Sequence, residues 1–304
     1  MKIIDILLNS DPAVKRQAQI YLLGEQSPYT EDGWIGKFLS RYDSEHQTWG
    51  NGIYGPKWTS TFYTLRDLKS LEIDPHHAVY QHGLNTLLHN MWNPEQSVED
   101  DVCVVAMLVS LLSYGQQPAS IIEEMIHYLR SMQMPDGGWN CAAVHGPSRK
   151  SSIHTTLSVL EAYADYENHG YTHSLPVIKE QIQTGQAYLL RKKLMKREST
   201  GELILPYIVD FHFPTRWKYD VLRSLSYFAA IRYPYDPALK EGLDVLKKKF
   251  TKGYLTRGSQ YSGRVHFQME TNKIGAMNTL RGLMVLKHYD FDVYVEVLRK
   301  EIAI

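Results

Sequence analysis

Neither sign of charge is in excess in this 304-residue chain, where 33 lysines and arginines balance 33 aspartates and glutamates. That balance leaves no basic footprint for nucleic acid or an anionic membrane surface. Long runs of like charge are missing too; the nearest, Lys247-Lys248-Lys249, reads as a solvated helix end. Cysteine is scarce. Two thiols argue against a disulfide framework and fit a reducing cytoplasm. No apolar run approaches the roughly 20 residues that span a bilayer. The N-terminal MKIIDILLNSDP breaks its short apolar run at Asp5, so it does not read as a secretory signal. These absences predict a soluble, cytoplasmic protein without a nucleic-acid partner.

What the chain does contain is helical periodicity, with few runs of alternating apolar and polar residues. The spacing predicts helices over 58–72, 76–91, 101–114, 118–133, 152–168, 173–193, 217–232, 236–249, 276–289 and 291–302. Two more are predicted over 11–23 and 31–42, the first opened by capping chemistry at Asn9-Ser10-Asp11-Pro12. The helices come in pairs, and one member of a pair carries a related phrase. Thr64-Leu65-Arg66-Asp67-Leu68 recurs as Val221-Leu222-Arg223-Ser224-Leu225 and Thr279-Leu280-Arg281-Gly282-Leu283, with Thr156-Leu157-Ser158-Val159-Leu160 a looser copy. Repeated helical pairs that cannot bury their own apolar faces must stack on their neighbours, as an open solenoid or a closed ring.

The loop between two pairs, Gln133-Met134-Pro135-Asp136-Gly137-Gly138-Trp139-Asn140, favours the ring. It fits Gln-x-x-x-Gly-x-Trp, the QW motif of squalene cyclases and their relatives. The glutamine can cap a helix end, the glycines allow a tight turn, and the tryptophan can stack between neighbouring helices. Degenerate copies are read at Gly201-Glu202-Leu203, Gly253-Tyr254-Leu255 and Gln47-Thr48-Trp49. Over most of its length the chain therefore resembles the terpenoid cyclase and protein prenyltransferase superfamily. The resemblance implies one all-α domain over residues 1–304. It would be an α/α toroid of inner and outer helix rings, completed by N-terminal helices in residues 1–50, with a site inside the inner ring.

Four residues could carry metal chemistry. Asp101 and Cys103 open one predicted inner helix, Cys141 follows the Gly-Gly-Trp-Asn turn, and His154 stands near the start of the next inner helix. Carboxylate, thiolate and imidazole form an ordinary zinc set, in which three ligands leave a position open for water or substrate. The order resembles the zinc site of protein prenyltransferase β subunits, an Asp-x-Cys followed by a histidine. The resemblance implies Zn2+ on Asp101, Cys103 and His154. Cys141, which has no counterpart there, is a fourth ligand or a replacement for Asp101. The competing reading makes the cysteines small buried groups and His154 a hydrogen-bonded core residue.

The resemblance fails where those enzymes place cations for a diphosphate. Residues 92–100 carry no cation and three acids, so a diphosphate there would meet like charge. Nothing in this chain implies a partner α subunit. Polyene cyclisation needs an Asp-x-Asp-Asp acid, which Glu99-Asp100-Asp101 does not supply. Other candidates for a cavity wall lie at the inner-helix starts: Lys57, Trp58, Thr61, Tyr63, Arg216, Trp217, Tyr219, His266, Asn278 and Arg281. Asp220 and Glu270 are the candidates for a catalytic acid or base. The competing reading makes such tryptophans core and such arginines partners of acids between helices. Three functions stay open: a zinc enzyme acting on a small or lipid-like molecule in an aromatic-lined cavity, a binding module for a hydrophobic or glycan ligand, and a toroid with structural zinc only.

Overall fold

The computed structural model describes residues 1–92, 101–142, 146, 150–259 and 261–302. Among these the regular structure is helical, and extended segments pair only by isolated bridges such as Lys2 with Glu301. No described helix is long and apolar enough to cross a membrane.

Three short helices come first: α1 (Ile3–Leu8), α2 (Pro12–Gln17), which continues as a π turn over Ala18–Leu23, and α3 (Trp34–Leu39). Five pairs follow among the described residues. They are α4 (Thr61–Ser70) with α5 (Ala78–Met91), α6 (Val102–Tyr114) with α7 (Ala119–Ser131), and α8 (Ile153–Asn168) with α9 (Leu175–Arg191). The last two are α10 (Val221–Ala230) with α11 (Lys240–Lys249), and α12 (Ala276–Tyr289) with α13 (Phe291–Arg299).

Burial separates the members of a pair. In α6, ten residues from Val102 to Ser113 are buried, so no face is left for water. In α7, Ile122, Met125, Ile126 and Leu129 recur at helical spacing and form one buried stripe. The first helix of each pair is thus enclosed and the second covers it. The enclosed helices touch in sequence, α4 with α6, α6 with α8, and α10 with α12. Arg223 on α10 joins α8 through Glu161, its Nε 2.9 Å from Oε1. From α12 contacts pass to α2 and the π turn, and from α2 through α3 back to α4.

Asp11 supplies the predicted cap of α2. Its Oδ1 accepts from the Ala13 N–H at 3.0 Å, while Oδ2 accepts from Trp34 at 2.8 Å and fixes the start of α3. The sequence did not predict α1, whose six residues are too few for a periodic signal. Tertiary packing holds it: Ile3 and Leu7 are fully buried, and Ile302 donates to the Met1 carbonyl at 2.9 Å. Two predicted helices start late, at Thr61 rather than 58 and at Val221 rather than 217. That leaves Lys57, Trp58 and Arg216–Tyr219 on the approaches to α4 and α10.

The repeat is real in three dimensions, but its register differs from the sequence phrase. The Trp49 and Trp139 N–H groups each donate to a threonine on the following enclosed helix, Thr61 and Thr156, both at 3.0 Å. The Leu255 N–H does the same to Thr279 at 3.0 Å. Thr61, not Thr64, is therefore the counterpart of Thr156 and Thr279. The offset of three residues is nearly one helical turn, which keeps the same face and hides the slip in the sequence. Each tryptophan also meets a glycine on its covering helix, Trp49 at Gly83 and Trp139 at Gly185. The reading of Gly201-Glu202-Leu203 as a further copy is corrected. Leu203 is 37% exposed, and buried Leu194 faces Gly242 instead.

A β-carbon added at Gly185 would stand 2.9 Å from Trp139 Cζ3 and 3.1 Å from Leu160 Cδ2. Gly185→Ala is accordingly expected to destabilise by about 1–2 kcal/mol, because overpacking outweighs the roughly 1 kcal/mol that alanine gains in a helix. Urea denaturation checks the sign. A more stable variant would show that Trp139 has room to move.

Candidate functional site

At the start of α6, Asp101 occupies the N-cap position and Cys103 lies in the first turn. The Cys103 N–H donates to Cys141 Sγ at 3.1 Å, and Thr155 Oγ1 on α8 lies 3.4 Å from the same sulfur. The two thiols also hydrogen-bond each other. That bond, with burial, holds the Cys103 thiol above its usual range, and accepting it draws the Cys141 thiol below. Asp101 acts electrostatically on both. Residues 38 positions apart thus meet at one helix start.

His154 faces elsewhere. Its Nδ1 accepts the Tyr219 N–H at 3.0 Å, and its ring packs at 5.7 Å from Trp217 and 6.1 Å from Tyr219. Burial, then the charges of Arg223 and Lys218, lowers its pKa to about 4, so it is neutral at pH 7. Accepting at Nδ1 puts the proton of the neutral ring on Nε2. As placed, His154 has no free lone pair for a metal. The donor set therefore fits zinc in part: two thiols meet, a carboxylate stands in electrostatic reach, and the imidazole is turned away. Among the described residues no group of three or more His, Cys, Asp or Glu side chains is assembled to hold a metal ion.

An aromatic wall adjoins the thiols. Tyr54, which the sequence reading missed, responds electrostatically to Cys103, Asp101 and Cys141. Its hydroxyl accepts from Tyr63 at 3.1 Å. Tyr63 meets Trp58 edge-on at 4.8 Å, and Trp58 Nε1 donates to the Ser262 carbonyl at 2.9 Å. Lys57 Nζ lies 5.5 Å from the Tyr54 ring and 5.7 Å from the Trp217 ring, which joins the two ends of the wall. Lys57, Trp58, Tyr63 and Trp217 thus form one cluster with Tyr54, and Tyr54 and Tyr63 lie within electrostatic reach of Cys103.

Arginines lie deeper. Arg223 makes a two-pronged pair with Glu161, its Nη2 2.5 Å from Oε2, and reaches Ser158 at 3.2 Å. Arg216 is ion-paired with Asp67 and stands 5.3 Å over Trp58, so it serves the core rather than a ligand. Tyr219 is also a core residue; its hydroxyl donates to the Leu194 carbonyl at 2.6 Å. Arg66 and Arg281 are different. Arg66 donates one bond to the Arg216 carbonyl at 3.0 Å, and Arg281 makes none to a described residue. Neither has a carboxylate within 4.0 Å among the described residues. Four guanidiniums (Arg66, Arg216, Arg223, Arg281) here accompany four carboxylates (Asp67, Glu161, Asp220, Glu270). Glu161 keeps 28% of its side-chain surface; burial opposes its charge, but the Arg223 guanidinium holds its pKa below the usual range.

The two candidate acid–base residues separate. Asp220 caps α10: its Oδ1 accepts the Arg223 N–H at 2.8 Å and Oδ2 the His212 N–H at 3.4 Å. Burial raises its pKa, but both oxygens are committed to backbone. Glu270 accepts the Met277 N–H with Oε1 at 2.8 Å and has no partner at Oε2. Burial raises it to about 7. Asn278 is structural, donating to the Phe211 and Thr256 carbonyls at 3.2 and 3.0 Å. His266 bonds Thr64 at 2.9 Å. Glu99, Asp100 and the rest of residues 93–100 lie outside the described residues. His76 and His82 are exposed, while His77 is half-buried and caps α5, its Nδ1 accepting from the Val79 N–H at 3.2 Å.

No protein-family model matches the chain, and no curated protein is significantly similar to it. The reading of the site therefore stands on its own geometry. Tyr54 sits in a loop and Glu161 and Arg66 inside helical phrases, where only the fold distinguishes an interior charge from a solvated one.

Proposed function

We propose that the chain is an α/α toroid of the terpenoid cyclase and prenyltransferase type, and an enzyme acting on a small or lipid-like molecule inside the ring. The circuit of contacts from α4 round to α2 and back through α3 supports the toroid. So do the paired Trp49–Gly83 and Trp139–Gly185 contacts, which is where a QW-like turn would place its tryptophan.

The observation that carries the functional reading is the meeting of Cys103 and Cys141 beside an aromatic wall. In this reading zinc is held by Cys103 and Cys141 with Asp101, and it would keep a bound thiol or water deprotonated at neutral pH. Trp58, Tyr54, Tyr63 and Trp217 exclude water from the apolar part of the ligand. Arg66 and Arg281, buried with no carboxylate within 4.0 Å among the described residues, receive its acidic group, since a buried cation without a direct partner is otherwise costly. Glu270, with one oxygen free, is the group suited to move a proton.

A second reading, a binding module without metal, is favoured by the turned-away His154. Elemental analysis after dialysis against a mild chelator separates the two. The enzyme reading expects about one zinc per chain, most of it lost in Cys103→Ser and in Cys141→Ser, and retained in His154→Ala. Absence of metal from the folded protein with reduced thiols sinks the zinc reading and leaves the binding module.

A further inference from the structure

Apart from the interior, a cleft of about 710 Å3 opens where the end of α11 meets the approach to α12. Lys249, Arg257 and Lys273 line it against a single acid, Asp210, with Phe211 beside them. Lys249, read from the sequence as part of a solvated helix end, lies 3.5 Å from Asp210 and 5.2 Å over the Phe211 ring. The cleft is therefore cationic.

At its edge Ser259 is exposed, and its Oγ lies 3.1 Å from His212 Nε2. His212 is only 5% exposed and stacks on Tyr261 at 4.6 Å and 24°. Burial lowers its pKa, which keeps the ring neutral. His212 Nδ1 is buried with no hydrogen-bond partner among the described residues, so the ring is held by its stacking on Tyr261 and its contact with Ser259. With the proton on Nδ1, Nε2 accepts and Ser259 donates. The hydroxyl and its base are then within hydrogen-bond reach, as nucleophilic catalysis requires. The Gly258 and Ser259 amides donate to no described residue.

We propose that this cleft is a separate hydrolytic site, with Ser259 as nucleophile and His212 as its base, acting on carboxylic esters that carry an anionic group. Ser259 Oγ bonds to the acyl carbon as its proton passes to His212 Nε2. The bond to the alcohol oxygen then breaks, and that oxygen takes the proton from His212. Water adds to the acyl-serine with the same base, releasing the acid and restoring the hydroxyl. Lys249, Arg257 and Lys273 hold the anionic group. None of this involves Cys103, Cys141 or a metal.

The test uses the full chain and a fluorophosphonate probe, with the adduct located by peptide mass spectrometry. Hydrolysis of para-nitrophenyl hydrogen succinate is compared with that of para-nitrophenyl acetate. The expected result is an adduct on Ser259 and succinate hydrolysis abolished in Ser259→Ala, a change at an exposed position that leaves the core intact. His212→Gln should lower hydrolysis by about 100-fold, and Lys273→Ala should raise KM for the succinate ester but not the acetate. If His212→Gln fails to fold, the adduct and Ser259→Ala decide alone. No adduct, an adduct on another residue, or unchanged hydrolysis in Ser259→Ala overturns the proposal.

Discussion

Asp67→Ala is expected to lower the unfolding free energy by about 3–5 kcal/mol, a larger loss than Gly185→Ala should cause. Asp67 and Arg216 are 3% and 5% exposed, and their ion pair spans 149 positions to tie α4 to the approach of α10. An arginine cannot shed its proton within the accessible pH range, so removing the carboxylate leaves a charge that only distortion can solvate. The pair itself is not a source of net stability. Burial holds the Asp67 carboxyl at about 6 even beside the guanidinium, which shows how much desolvation opposes it. The double variant Asp67→Ala/Arg216→Met should therefore recover much of the loss, since it removes the buried charge with its partner. Urea denaturation at pH 7 measures both. A loss below about 1 kcal/mol in Asp67→Ala would mean that Arg216 is solvated and the interior is open at that depth.

The same pair shows where the sequence was legible. Helical periodicity placed nearly every helix within a few residues, because enclosed and covering helices both have to present apolar faces at 3.6-residue spacing. Asp101, Cys103 and Cys141 could be picked out because cysteine is rare and the three stand at a helix start or directly after a turn. Arg216 could not be assigned: a guanidinium near a helix start reads equally as a ligand group or as a partner of Asp67, 149 positions away. His154 was legible as a special residue but not in its role, since the Tyr219 N–H that fixes its tautomer is backbone and leaves no mark in the sequence. Ser259 and His212 lie in irregular segments 47 positions apart, with no motif to join them.

Glu270→Gln should separate from the wild type as pH rises. The Glu270 carboxyl is lifted by burial from 4.5 to about 7 in the folded chain. Below pH 4.5 it is protonated in both the folded and the unfolded state, and its stabilising contribution is fully present. Between 4.5 and 7 the unfolded chain has released the proton that the folded chain still holds, so the contribution is lost as pH climbs. Glutamine keeps an oxygen for the Met277 N–H and does not titrate. The gap should therefore open in favour of Glu270→Gln by up to about 3 kcal/mol between pH 4.5 and pH 8. His154 and His266, each lowered to about 4 by burial, act in the opposite sense, losing stability as pH falls through that range. They are common to both proteins and cancel in the difference. Denaturation midpoints across the pH series measure the gap. A constant gap would return Glu270 to an ordinary pKa and remove it as the proton-transfer group, because only a carboxyl that titrates near neutrality can both give and take a proton there.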